Sequence, residues 1–179
     1  MEQVVSKFLS ALSRRRLFSG LSLTAAAVAA TGAAAPAQAA ASATPIVRKN
    51  AIPGLAAPGT AAKPSYSHVV STTRKKMIFV AGQLARDKDG KAVGVNDPKA
   101  QLRQVFENIK LALAAEGATF ADITQTQTFV TSWDKFREAS DVRYEYLGPN
   151  LPTSTTIEIS KLAFPEALFE INCIAMVDA

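Results

Sequence analysis

Ile123-Thr124-Gln125-Thr126-Gln127-Thr128-Phe129-Val130 is rich in β-branched residues, alternates in character, and reads as a strand. It sits between two stretches of helical period. Upstream, Asp97-Pro98 opens a helix, with the acid at the cap and proline in the first turn. Leu102, Val105, Phe106, Ile109 and Leu113 then recur at three- and four-residue steps as one apolar face, and Gly117 closes the helix. Downstream, Asp134 to Tyr146 predicts a second helix, with Phe136, Ala139, Val142 or Arg143, and Tyr146 at helical spacing, ended by Gly148-Pro149-Asn150. Thr155 to Leu162 alternates again, a turn holds Pro165, and Leu168 to Val177 is an apolar strand.

Before the first helix, Met77-Ile78-Phe79-Val80-Ala81-Gly82-Gln83 is an apolar run, and Ser65 to Ser71 is strand-like. Thr73-Arg74-Lys75-Lys76 reads as a polar turn between them, its charges solvated. Asp87-Lys88-Asp89-Gly90-Lys91 carries an Asp-Gly hairpin signal. The order β-β-α-β-α-β-β is that of an α+β two-layer domain, with both helices on one face of a mixed sheet. An apolar second face then needs cover, which oligomerisation usually supplies.

The chain has 179 residues and a formal charge of +5. Residues 1–39 hold four of the 20 Lys+Arg and one of the 15 acids, so the remainder carries 16 basic against 14 acidic residues, or +2. Bulk charge therefore gives little support to nucleic-acid binding. Ser13-Arg14-Arg15-Arg16-Leu17-Phe18, an uncharged Ala-rich stretch from Gly20 to Ala37, and the close Ala37-Gln38-Ala39 together describe a bacterial export signal of the twin-arginine type. The expectation is cleavage, a periplasmic or otherwise exported product, and no stable membrane association afterwards. Residues 40–62 predict a flexible Ala/Pro/Gly-rich lead-in, and residues 63–179 the folded domain.

With 48% hydrophobic and 20% charged residues, this is not a disordered composition. One cysteine, Cys173, excludes an internal disulfide and a Cys-rich metal site, and reads as an inert core thiol. One histidine, His68, excludes a His-based zinc cluster within a chain. No metal and no cofactor is expected. His68, two residues from Tyr66, shares its face on a strand; a lone strand histidine is more often structural than a base.

Several motifs, in order and at matching spacing, resemble the RidA (YjgF) family of reactive intermediate or imine deaminases over residues 52–178. Pro64-Ser65-Tyr66-Ser67 resembles that family's Gly-Pro-Tyr-Ser, and Phe79-Val80-Ala81-Gly82-Gln83 its Phe-x-Ser-Gly-Gln. Asn108-Ile109-Lys110 resembles its helix with Asn-Ile-Lys, and Thr128-Phe129-Val130 with Trp133-Asp134-Lys135-Phe136 its strand-to-helix junction. Phe169-Glu170-Ile171-Asn172-Cys173-Ile174-Ala175 resembles its closing Val-Glu-Ile-Glu-Ala-Ile-Ala. The resemblance implies a chorismate mutase-like β-β-α-β-α-β-β fold and a homotrimer with sheets packed inward and clefts between subunits. It also implies cofactor-free hydrolysis of enamines or imines to a keto acid and ammonia. On it, Glu170 and Ser154 take the catalytic positions, and Tyr66, Gly82, Gln83, Thr155 and Thr156 line the small-molecule site.

One departure limits the transfer. The family's Pro-Ala-Arg-Ser, whose arginine holds the substrate carboxylate, is matched by Pro152-Thr153-Ser154-Thr155. A serine hydroxyl in place of a guanidinium fork loses about 2–4 kcal/mol, or roughly 30- to 1000-fold in binding. Ser154, Thr155 and Thr156 beside Glu170 and Tyr66 would suit a neutral or amine-bearing ligand. The expectation is a hydrolase of altered substrate range; the alternative is a trimer that binds a small molecule without turnover. Members of the family have also been described as ribonucleases, but no basic stripe interleaved with aromatics supports a nucleic-acid partner here.

Overall fold

The computed structural model describes residues 44–60 and 63–179. The leader expected at 1–39, and the first residues of the lead-in, lie outside the described residues. In chain order the elements are β1 (Val47–Lys49), β2 (Gly59–Thr60), β3 (Lys63–Pro64), β4 (Val69–Ser71), β5 (Lys76–Leu84) and α1 (Pro98–Ala114). A 3-10 turn at Phe120–Asp122 leads into β6 (Ile123–Val130), followed by α2 (Trp133–Glu138), α3 (Ser140–Leu147), β7 (Thr153–Glu158) and β8 (Phe169–Val177).

Four of these strands form one sheet, ordered β5-β8-β6-β7. Strand β8 is antiparallel to both neighbours, while β6 and β7 are parallel, so α2 and α3 make the crossover that a parallel pair requires. Helix α1 starts as its sequence dictates, with the Asp97 side chain accepting from the Ala100 N–H at 3.0 Å. Its predicted apolar face, Leu102, Val105, Phe106, Ile109 and Leu113, is buried against the sheet. Phe169, Ile171, Cys173 and Ala175 of β8 meet it from below, with Ile123 and Val130 of β6 and Ile78 and Val80 of β5. Each such side chain removed from water is worth about 1.5–3 kcal/mol.

Three boundaries differ from expectation, each for a hydrogen-bonding or packing reason. The strand expected at Ser65–Ser71 shortens to β4, because the earlier amides bond elsewhere: Ser65 to the Pro58 carbonyl, Ser67 to Pro152 and His68 to Lys49. The single helix expected from Asp134 breaks at Ala139, whose φ of −98° and ψ of 2° are not helical. The break lets Phe136 on α2 and Val142 and Leu147 on α3 enter one core. The strand expected at Thr155–Leu162 lies two residues earlier and ends at Glu158, because its parallel partner β6 ends at Val130.

Residues 44–60 of the lead-in also hold local order. Strand β1 pairs antiparallel with β4 from Val47↔Ser71 to Lys49↔Val69. Arg48 donates to the carbonyls of Ala121 at 2.7 Å and Ile123 at 3.0 Å. Arg74, expected in a solvated turn, is instead held by the Asp122 carboxylate and by the Thr44 and Met176 carbonyls at 2.6 and 2.9 Å. Asp122 in turn accepts from the Thr119 amide and hydroxyl at 2.8 and 2.9 Å, closing a capping box. This corner ties the chain before the sheet to the start of β6.

Cys173 points into the core, and burial pushes its thiol pKa up to about 12. Because the thiolate is the reactive form, the folded protein is expected to resist iodoacetamide at pH 8, while protein unfolded in urea takes up one equivalent. Mass spectrometry of the two samples checks this; rapid labelling of the folded chain would contradict the placement.

Candidate functional site

The sheet has two faces, and the candidate residues divide between them. On β8 the buried side chains of Phe169, Ile171 and Cys173 turn towards the helices, so Glu170, Asn172, Ile174 and Met176 turn the other way. On this open face Glu170 lies opposite Phe129 of β6 and Leu84 of β5. Its carboxylate folds over Gly82: a Cβ built on Gly82 would fall on the Glu170 carboxyl group. Gly82 therefore has a reason beyond turn chemistry, since any side chain there would displace the carboxylate. The pairing of β5 with β8 is irregular between Val80 and Gln83, which is where this close approach occurs.

Further along the same face, Phe79, Ala81, Gln127, Asn172 and Ile174 line an open basin of about 330 Å³. Asn172 Nδ2 donates to Gln127 Oε1 at 3.3 Å. Where the closing motif Val-Glu-Ile-Glu repeats its glutamate, this chain has Asn172. The face also presents large apolar side chains to solvent in the single chain: Phe79 is 72% exposed, Met77 51% and Ile157 43%.

The second group lies at the β7 edge. The register Thr126↔Ser154 and Thr128↔Thr156 puts Ser154 and Thr156 on the helix side, since Thr126 and Thr128 are buried there. Thr155, opposite Gln127, is on the open face with Glu170. The expectation of a single hydroxyl-rich patch beside Glu170 is thus corrected: strand alternation sends Ser154 and Thr156 one way and Thr155 the other.

The segment carrying Tyr66 runs alongside the start of β7. Ser67 donates its amide to the Pro152 carbonyl at 2.9 Å and its hydroxyl to the Leu151 carbonyl at 2.6 Å. Tyr66 is half-buried and meets the His68 ring edge-on at 5.4 Å. A His68 ring nitrogen, Nε2, lies 2.9 Å from the Ala56 carbonyl, which engages the histidine structurally. Gln83 joins neither group. It lines a groove with Arg86, Gln104, Asn108 and Leu111 on the α1 side, and its amide donates to the Ala81 carbonyl at 3.1 Å.

One residue at the β7 edge was not singled out from the sequence. Arg143 of α3 is buried, and its Nη2 donates to the Ser154 hydroxyl at 3.4 Å. Its signal was present: a cation at a position where helical spacing asks for an apolar residue, left open above as Val142 or Arg143. Both residues are buried, because the break at Ala139 resets the phase of the second half-helix. No group of three or more His, Cys, Asp or Glu placed to hold a metal ion occurs among the described residues.

A family profile described as Endoribonuclease L-PSP matches residues 55–177. Among solved structures, the chain is similar to YyfB of Yersinia pestis, of the conserved Rid protein family, at 32% identity and a TM-score of 0.58, covering 63% of this chain and 86% of that one. It is similar at 30% identity to a Mycobacterium tuberculosis member of the YjgF/YER057c/UK114 family, with a TM-score of 0.50 and coverage of 63% and 86%. RidA from an Antarctic Psychrobacter, at 24% identity and a TM-score of 0.52, covers 59% of this chain and 87% of that one and shares the fold. With the profile spanning most of the chain and the β-β-α-β-α-β-β order in place, this protein belongs to the RidA (YjgF/YER057c/UK114) family.

Proposed function

We propose that this chain is an exported hydrolase of reactive enamines or imines, acting as a homotrimer with its small-molecule ligand between subunits and with an altered substrate range. The observation that carries the reading is the Glu170 carboxylate, laid over Gly82 on the open face that also exposes Phe79, Met77 and Ile157. A carboxylate there has a task only if that face meets a ligand or water.

The chemistry needs no more than the chain's own groups. Glu170 accepts a proton from a water molecule as the water oxygen bonds to the C=N carbon. Glu170 returns that proton to the nitrogen, and the tetrahedral carbinolamine collapses to C=O as its hydroxyl proton passes to the nitrogen, which leaves as ammonia. Overall, one imine and one water give one carbonyl compound and one ammonia. Neither a metal nor a cofactor enters this balance.

The homotrimer rests on two features. The open face presents Phe79, Met77 and Ile157 to solvent in a single chain, a patch that association would cover. The candidate site is also split: Glu170 and Gly82 lie on β8 and β5, while Tyr66 and Ser154 lie at the β7 edge. Setting one copy's edge against the next copy's open face would join the halves in an intersubunit cleft.

Export rests on the Arg14-Arg15-Arg16 leader and the Ala37-Gln38-Ala39 site. No helix among the described residues is long and apolar enough to cross a membrane. A second reading, binding without turnover, is favoured by Asn172, which puts an amide where the family motif repeats its carboxylate.

Light scattering after gel filtration is expected to give a trimer for the purified protein and a monomer for Phe79→Asp; an unchanged trimer would remove the open face from the interface. Imines generated in place by an amine oxidase and by an amino-acid oxidase are expected to disappear faster with the protein than without it. Glu170→Gln is expected to lower kcat about 100-fold. Silence on both imine classes by a protein that still binds a ligand would transfer the function to the second reading. The chain recovered from the periplasm of a twin-arginine-competent host is expected to lack residues 1–39 by intact mass, and full-length chain confined to the cytoplasm would refute export.

A further inference from the structure

Arg143 stands out among the buried charges. Its side chain is only 9% exposed, on α3 against the sheet. Two other packed arginines meet a carboxylate: Arg74 that of Asp122, and Arg86 that of Glu166 at 3.2 Å. Arg48 spreads its charge over two carbonyls. No carboxylate among the described residues pairs with Arg143. Its polar contact is the long one to the Ser154 hydroxyl at 3.4 Å, and its guanidinium lies 5.7 Å from the centre of the Phe136 ring. Burial lowers its pKa, opposed only in part by the neighbouring Tyr144.

A mostly buried guanidinium that meets no carboxylate is unfavourable unless something answers its charge, and its remaining donors are not sealed from solvent, so an incoming anion can reach them. Leu or Met at this helix position would complete the core at no such cost. The strain is explained if an anion supplies the missing partner. The address is specific: Arg143 reaches the residue at which the family motif carries its arginine, from behind the strand rather than along it.

We infer that Arg143 supplies, from α3, the guanidinium absent from β7, and that it binds the carboxylate of a small anionic ligand at the Ser154 edge. The hydroxyl of Thr156, on the same face of β7, stands beside it. This rests on the reading of the cleft as the ligand site, and replaces the expectation of a neutral or amine-bearing ligand. The anionic group enters towards the helix layer, deeper than a side chain on the strand would hold it. Arg143 is thus a specificity-determining residue, and the ligand's carboxylate is set back from Glu170, which lies on the opposite face of the sheet.

Calorimetric binding needs no turnover and tests this directly. The purified protein is expected to bind 2-oxobutanoate at least about tenfold more tightly than its methyl ester, the loss of one charge-assisted pair. Arg143→Gln is expected to remove that preference, Arg143→Lys to retain part of it, and Arg143→Gln with Ser154→Arg to restore it. Equal binding of acid and ester by the unaltered protein would overturn the assignment even if the variants fail to fold. An unchanged preference in a folded Arg143→Gln protein would overturn it as well. Arg143-dependent binding in a protein silent towards imines would keep the assignment and remove the hydrolase reading.

Discussion

Strand β8 is hydrogen-bonded on both edges, so its side chains have only two directions to take. Everything else follows from that division. Phe169, Ile171, Cys173 and Ala175 take the helix side and, with the apolar face of α1, form the core. Glu170, Asn172 and Ile174 are thereby committed to the open face. A slip of one residue would bury a carboxylate and expose a phenylalanine, so the register that makes the core also delivers Glu170 to Gly82. Stability and the candidate chemistry are set by one alternation.

The same rule separates the residues that the family motifs place together. On β7 neighbouring hydroxyls diverge: Thr155 faces the side of Glu170, while Ser154 and Thr156 face α3. A strand can present alternate residues to one ligand, never consecutive ones. A site using both Glu170 and Ser154 must therefore be closed from outside the single chain, across the sheet edge. On the trimeric reading proposed above, one contact would cover the exposed Phe79 and complete the split site.

Much of this was legible in the sequence because the signals were local. The Asp97 cap, the period of Leu102 to Leu113 and the span of β6 depend on neighbours a few residues away. What escaped depends on distant partners. Thr153 and Ser154 have no strong strand signal of their own; they are extended because β6 offers them a parallel edge from Gln125 onward. Val47–Lys49 becomes a strand only because β4 stands beside it. The break at Ala139 has no Gly or Pro to announce it, and arises from the demand that both half-helices reach one core. In the site, Gly82 and Glu170 were found through motif resemblance, but their contact across two strands was not visible in either motif.

Arg143 shows how a function-bearing residue hides in such a reading. Periodicity treats a charge inside an apolar stripe as noise, because the commonest explanation is a small error of phase. Packing decides otherwise: with Phe136 and Val142 both in the core, no rotation of α3 removes Arg143 from burial without exposing its neighbours. The helix therefore keeps a cation where its own stability would favour leucine. Local conflicts of this kind concentrate at functional sites, where an interaction with something outside the chain completes what the fold alone leaves unmet. Reading Ser154 alone suggests a lost anion site; reading Ser154 with the guanidinium behind it suggests that the positive charge has changed element, and that the position of the ligand has changed with it.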